Sequence, residues 1–466
     1  MKREHYKYWA HQAANWGQDY LDTLSKRPVR SSAKPGDILA QLPATAPEAP
    51  EAMETILEDF KRIVPDGMTH WQHPKFFAYF PANAAPASMI AEQLTSIMAS
   101  QCMLWQTSPA ATEMETRMIE WLRDALGLSA QFRGVIQDSA SSATLVAILT
   151  MREHAVNWRG NASGMSGEPA IRVYASSQNH SSVDKAIWIS GIGQDNLVKI
   201  PTDENYAMDT KALRDAIKTD RAAGFLPAGV VVCVGGTSIG ACDNVDEIIK
   251  IAKQESLYTH IDAAWAGSAM ICPEFRHLWE GIDEADSIVF NPHKWIGAQF
   301  DCSVQFLRNP GDQVKTLGMR PDYLKTLDQD EIINYSEWGV QLGRRFRALK
   351  LWFVLRAYGL EGLRERIRNH IAWAQELEER LSAHPDFLIT TKCRFSLFTF
   401  QYAPAGKDAN KESEILLKKI NEDGRIYLTQ TAHEGKFVIR FQAGQFDSTR
   451  EDVLSVYDVL IDLISP

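Results

Sequence analysis

Apolar positions recur along this chain at two spacings, one helical and one extended, and the change between them divides it. Over residues 3–25, Tyr6, Trp9, Ala13, Trp16 and Tyr20 stand three and four apart, which predicts a helix with an aromatic stripe. Such a stripe packs into a core or onto a partner helix, and its Trp and Tyr content favours a subunit contact. The stretch from Pro28 to Pro50, rich in Pro, Ala and Ser, reads as an extended connection, and a second helix is predicted over about Ala52–Ile63. From about 86 to 305, short β-branched runs end in small or polar residues and give way to helical segments. The runs are Gly134–Gln137, Ala170–Tyr174, Gly229–Val234, Leu257–Ile261 and Asp286–Asn291. This alternation predicts a mostly parallel sheet covered by helices, with ligands bound beyond the carboxyl ends of its strands. After residue 342 a long helix is expected, then another near Ile371–Leu381. Runs at Phe395–Tyr402 and Lys436–Gln442 suggest strands of a smaller α+β domain. The expected division is 1–85 as an N-terminal helical segment, 86–345 as a large α/β domain and 346–466 as the small C-terminal domain.

Composition narrows the partners. A net charge of -10 over 466 residues disfavours nucleic acid or an anionic membrane surface, either of which attracts a basic face, and leaves a small-molecule ligand compatible. No run is long and apolar enough to span a bilayer, and the charged, aromatic start lacks the apolar core of a signal peptide. The six cysteines form no C-x-x-C pair, so reduced thiols in a cytoplasmic protein are expected, and no metal site. Walker A, H-E-x-x-H and G-x-G-x-x-G motifs are absent. Gly236-Thr237-Ser238-Ile239-Gly240 matches the G-x-S-x-G nucleophile elbow. An elbow runs straight into a helix, however, and here Ala241–Asn244 intervene before a helix starting near Val245.

Four positions at predicted strand ends fit one chemistry. An imine on an electron-poor ring needs a lysine, an acid that keeps the ring nitrogen protonated, a flat group on the ring face and a phosphate cradle at a helix start. Lys294 follows a strand within Asn291-Pro292-His293-Lys294-Trp295, where desolvation favours the neutral amine; alone, it would read as a surface lysine. Asp262 closes an apolar strand and would be costly to bury without a cationic partner, although a helix N-cap is the plainer reading. Ser139, Ala140 and Ser141 lie between a strand and a helix over Thr144–Met151, where free N–H groups bind phosphate and where serine also caps helices. His180 follows the strand at 170–175 and supplies a flat ring, or is an ordinary loop histidine. Thr237 offers a hydroxyl to the phosphate or ring. Taken in order across one domain, these parts point to pyridoxal 5′-phosphate.

The motifs resemble those of the aromatic L-amino-acid decarboxylases, a branch of the group II pyridoxal-phosphate decarboxylases. The resemblance rests on His73–Ala82, Trp105–Glu113, Gly134–Thr144, His180–Val183, Asp262–Gly267, Asn291–Trp295 and Leu342–Arg347 and covers nearly the whole chain. It implies the aspartate-aminotransferase-like fold (fold type I) and a homodimer with shared sites, its N-terminal helices packed on the partner. It also implies release of an arylalkylamine and CO2 from an aromatic amino acid. By the same matching Ala264, Asn291 and His293 join the cofactor set. The substrate set comprises Trp71, Tyr79, Phe80, Pro81, Ala82, His180 and His293, with Gln101 and Met103 reaching in from the partner. Tyr335, in the polar stretch 328–337, resembles the mobile-loop tyrosine that protonates the substrate carbon and separates decarboxylases from aldehyde-forming relatives; Ser181 agrees with the decarboxylase pattern. Ala82, Gln101, Met103 and Trp265 depart from residues common in relatives, so the motifs leave the ranking of aromatic substrates open. The competing readings are an aromatic aldehyde synthase on the same scaffold, a protein of this fold that binds without turnover, and decarboxylation of a non-aromatic acid such as glutamate or a sulfinate, for which no motif supplies a cationic clamp for the second acidic group.

Overall fold

The computed structural model describes residues 1–319 and 332–465. It divides into two compact units, 82–369 and 1–81 together with 370–466.

The larger unit holds a seven-stranded sheet. Its strands are β1 (Arg133–Gln137), β2 (Ile171–Ser176), β3 (Leu197–Ile200), β4 (Leu226–Cys233), β5 (Tyr258–Asp262), β6 (Ser287–Phe290) and β7 (Ser303–Leu307), in the order β1-β7-β6-β5-β4-β2-β3. β3, β2, β4, β5 and β6 are parallel, while β7 runs antiparallel to both of its neighbours. Residues on both faces of β5 and β6 are buried, which is why these strands read as continuous apolar runs. The sequence pattern missed β3 and β7. β7 hides because its polar residues are interior ones: Ser303 donates to Asn291 Oδ1 at 2.6 Å, and Gln305 bonds Gln137, Ser287 and Gln313. Since β1 and β6 both oppose β7, the carboxyl ends of β1, β4, β5 and β6 come to the same edge.

Two helices matter for the site. One, Pro109–Leu126, starts with proline at its first turn and ends on Gly127 at φ +74°. The other begins at Ala140, earlier than the expected Thr144, and runs to Ala155, with Ser139 Oγ accepting from Ser142 N at 3.2 Å. Glu115, on the first of these helices, is buried and pairs with Arg344 at 2.7 Å, both side chains being less than a tenth exposed. Its Oε1 also accepts from Ile136 N at 2.8 Å. Glu115→Ala strands the Arg344 guanidinium, so a loss of about 3–5 kcal/mol is expected in denaturant unfolding.

The smaller unit has a four-stranded antiparallel sheet, in the order Thr429–His433, Lys436–Gln442, Leu397–Tyr402 and Phe387–Arg394. Phe77, Phe398, Phe400 and Phe441 form its core. The N-terminal helix spans Tyr6–Thr23 and its aromatic stripe divides. Trp16 meets Phe60 edge-on at 4.7 Å and Tyr20 bonds His70 at 2.7 Å, whereas Tyr6 and Tyr8 are exposed. The two helices expected after residue 342 meet end to end within Arg347–Ser382, separated by a kink at Gly359, whose φ is +63° and not helical. Among the described residues no helix is long and apolar enough to cross a membrane. All six cysteines are free thiols.

Candidate active site

The shared edge of β1, β4, β5 and β6 opens into a cavity lined by Ser139, Ala140, Ser141, His180, Thr237, Asp262, Ala264, Asn291 and Lys294. These nine, of fourteen residues that line it, are ones the sequence points to. Each arrives on a short connection from a strand end, so the parallel sheet itself gathers them.

Lys294 is half-buried, and its amine is poorly solvated where it faces the cavity. Burial lowers its pKa to about 8, with the nearby Asp262 carboxylate pulling the other way. Asp262 is the last residue of β5 and is 7% exposed. Its Oδ1 accepts from Ala264 N at 3.1 Å, so the capping role and a role toward the cavity coexist in one side chain. Behind it, His260 lies fully buried between Thr144 and Ser287, and desolvation lowers its pKa to about 4, which keeps it neutral. His180 caps the helix Ser181–Ile189, its Nδ1 accepting from Ser182 N at 3.1 Å. That bond sets the ring orientation.

His293 does not line the cavity. It is buried one residue away, its Nδ1 accepting from Cys302 N at 2.9 Å and its ring against Phe300. Ala82 comes to the Lys294 turn through its neighbour: Asn83 donates to the Lys294 carbonyl at 2.8 Å and to the His293 carbonyl at 2.9 Å. Asn83 was not anticipated, because nothing in its local sequence marks it. Ser182, Cys233, Gly235, Gly236 and Trp265 also line the cavity and were not proposed as site residues. Of these, Cys233 and Trp265 sit in apolar runs that read as core. The Gly236–Gly240 stretch closes a turn by Gly240 N to Gly236 O at 2.8 Å, and the next helix starts only at Val245, so the elbow geometry is absent.

Trp71, Tyr79, Phe80 and Pro81 belong to the smaller unit. There Trp71 stacks on Phe76 at 4.6 Å and on Tyr79 at 6.0 Å. Phe80 lies over Gly444, where a Cβ would come within 2.7 Å of its ring, so that glycine makes room for it. Gln101 and Met103 stay with residues 334–344 of their own chain and do not line the Lys294 cavity.

Tyr335 departs from expectation. It was read as part of a mobile polar loop, but it opens a short turn over Tyr335–Trp338 and is 3% exposed. Its hydroxyl bonds Thr116 at 2.9 Å, its ring meets Trp338 edge-on, and Val135 and Leu307 complete its apolar surroundings. It does not line the cavity. The polar groups flanking it are used internally, as Asn334 Oδ1 accepts from Trp105 N at 3.0 Å. Positions 328–331 of that stretch lie outside the described residues.

A carbonyl-reactive amine and a buried carboxylate facing one cavity, with a serine-capped helix start beside them, fit the aldehyde, ring nitrogen and phosphate of pyridoxal phosphate. At the carboxyl edge of a mostly parallel sheet this defines a fold type I pyridoxal-phosphate enzyme. Comparison with known proteins narrows the class. Residues 35–403 match the pyridoxal-dependent decarboxylase conserved domain. Aromatic-L-amino-acid decarboxylase of Rattus norvegicus is 42% identical over 437 residues, covering 91% of this chain and 90% of that protein. The solved structure of Oryza sativa TDC with PLP and tryptamine superposes with a TM-score of 0.96 at 33% identity, covering 99% of this chain and 98% of that one. Rhodiola rosea 4-hydroxyphenylacetaldehyde synthase superposes with a TM-score of 0.92 at 32% identity, again over 99% and 98%. The chain belongs to the pyridoxal-dependent decarboxylase family and is a pyridoxal-phosphate-dependent carboxy-lyase.

Proposed function

We propose that this enzyme decarboxylates aromatic L-amino acids to arylalkylamines and CO2. The observation that carries the reading is the Lys294 amine and the Asp262 carboxylate sharing a cavity with the Ser139–Ser141 helix start. The bound cofactor supplies an electron-poor ring that takes up the electrons left when the carboxylate departs. Within this chain, Lys294 would hold the cofactor through its amine. Asp262 would keep a proton on the ring nitrogen. Ser139, Ala140, Ser141 and Thr237 would hold the phosphate, and His180, Ala264 and Asn291 would hold the ring. His293, buried behind Lys294, orients the lysine turn.

The substrate side follows the family resemblance. Trp71, Tyr79, Phe80, Pro81 and Ala82 make the aromatic wall, and Gln101 and Met103 come from the partner of a homodimer. Their separation from the Lys294 cavity of their own subunit is consistent with that arrangement. The division of labour is 1–85 for dimerisation, 86–345 for the cofactor and 346–466 for the small domain, in a cytoplasmic protein.

By the same resemblance Tyr335 is the proton donor to the substrate carbon; within its own subunit its hydroxyl is held by Thr116 at 2.9 Å. Tyr335→Phe is expected to divert product from amine toward aldehyde, because the substrate carbon loses its proton donor. Product analysis by mass spectrometry checks this, and amine as the sole product would remove Tyr335 from the mechanism.

The second reading, an aldehyde synthase, is supported by the Rhodiola rosea relative. Incubation with a panel of L-amino acids decides between them. Amine and CO2 in equal amounts support the decarboxylase, whereas aldehyde, ammonia and peroxide support the synthase. No product of either kind from any aromatic amino acid refutes both.

A further inference from the structure

Two strips of the larger unit run side by side, Gln101–Trp105 and Asn334–Arg344. Cys102 N donates to Arg344 O at 3.0 Å and Ser336 N to Met103 O at 3.2 Å. Arg344 N donates to Gln101 Oε1 at 2.7 Å, and Trp105 N to Asn334 Oδ1 at 3.0 Å. Gly343 lets the Gln101 amide lie against its backbone, since a Cβ there would stand 3.0 Å from Gln101 Nε2. The amide oxygen of Gln101 is thus used inside the subunit, which accommodates a polar residue where the family resemblance leads one to expect an apolar one.

The second strip is fastened in turn to the end of β1. Gln137 Nε2 donates to Trp338 O at 3.0 Å, Gln341 Nε2 to Asp138 Oδ2 at 3.3 Å, and Arg344 to Ile136 O at 2.9 Å. β1 leads directly into the Ser139–Ser141 helix start. Asn334 is buried at 7% exposure, and its side chain is the acceptor for a main-chain N–H of the first strip. Without that oxygen a partly buried donor loses its partner and the strip carrying Met103 loses one of its ties.

We propose that Asn334, with the Gln101 amide latched on Arg344, is a positioning residue that sets the ranking of aromatic substrates by holding Gln101–Trp105 at one setting against β1. The proposal rests on the reading that Gln101 and Met103 of one subunit face the substrate held by its partner. A loosened wall weakens binding of the ring more than it affects the bond-breaking step, because the ring is remote from the reacting carbon.

The test uses the holoenzyme and compares kcat and KM for phenylalanine, tyrosine, tryptophan and dihydroxyphenylalanine. In Asn334→Ala, KM for the preferred substrate is expected to rise about fivefold, more than kcat falls, and the spread of kcat/KM across the panel to shrink about threefold. Asn334→Asp keeps an acceptor oxygen and restores the parental ranking. Gly343→Ala, whose Cβ would stand 3.0 Å from Gln101 Nε2 and disturb the latch without altering a substrate-facing side chain, changes the ranking as Asn334→Ala does and serves if the latter fails to fold. An equal loss for every substrate, a loss in kcat alone, or failure of Asn334→Asp to restore the ranking overturns the proposal. A parent enzyme that turns over none of the four substrates refutes the underlying reading instead, and does so before any variant is made.

Discussion

Asp262→Asn is expected to lower turnover by about a hundredfold to a thousandfold while the cofactor stays bound, the range found when one preorganised electrostatic group is removed from an active site. Asparagine has the shape of aspartate and can still accept from Ala264 N, now at 3.1 Å, so the end of β5 should persist. What is lost is the charge. A carboxylate held at 7% exposure at the cavity favours a proton on a facing ring nitrogen, and a neutral amide does not. Amine production and the absorbance band of the bound cofactor, measured on one preparation, separate the two effects. Parental turnover with the band intact would sink the role given to Asp262, and Asp262→Ala should be at least as severe.

Lys294→Ala is expected to reduce turnover below about a thousandth of the parent and to abolish covalent retention of the cofactor. Borohydride reduction followed by peptide mass spectrometry should find the adduct on the peptide carrying Lys294 in the parent and on no peptide in the variant. An adduct on another lysine would reassign the site. Acidity gives a second check. Lys294 attacks a carbonyl only as the neutral amine, and burial puts its pKa at about 8. Below pH 8 the neutral fraction drops about tenfold for each pH unit, so uptake of the cofactor by the apo-protein should slow by that factor. An ordinary lysine, near 10.4, would show the same slope but begin its decline at higher pH.

The cofactor side of the site was legible because it sits where local pattern and chemistry coincide. Ser139, Asp262 and Lys294 each end an apolar run with a residue that is polar and short or reactive, and a parallel sheet brings such ends together. Asn83 and His293 were harder. Asn83 reaches the Lys294 turn from 211 residues away in sequence, and no spacing rule carries that distance. His293 enters the cofactor set through the family matching, but consecutive residues in a turn point in different directions, and its ring goes to Cys302 N. The burial of Tyr335 has a different reason. Polar neighbours suggested exposure, yet Asn334 caps Trp105 N and Glu337 is itself 8% exposed, so polarity here serves internal bonding.

The sequence by itself determined the alternating α/β pattern, the strand ends that carry Ser139, Asp262 and Lys294, and, through its motifs, the family. These follow from periodicity and local chemistry, which a linear string preserves. Only the tertiary structure decided that β7 runs against its neighbours with Ser303 and Gln305 satisfied in the interior. It alone placed Asn83 on the Lys294 turn, Tyr335 on Thr116, and the Gln101–Trp105 strip against Asn334–Arg344. Each of these is a pairing between residues far apart in the chain. Its energy depends on burial and on which partner satisfies a polar group, and neither is a property of a residue and its neighbours in sequence.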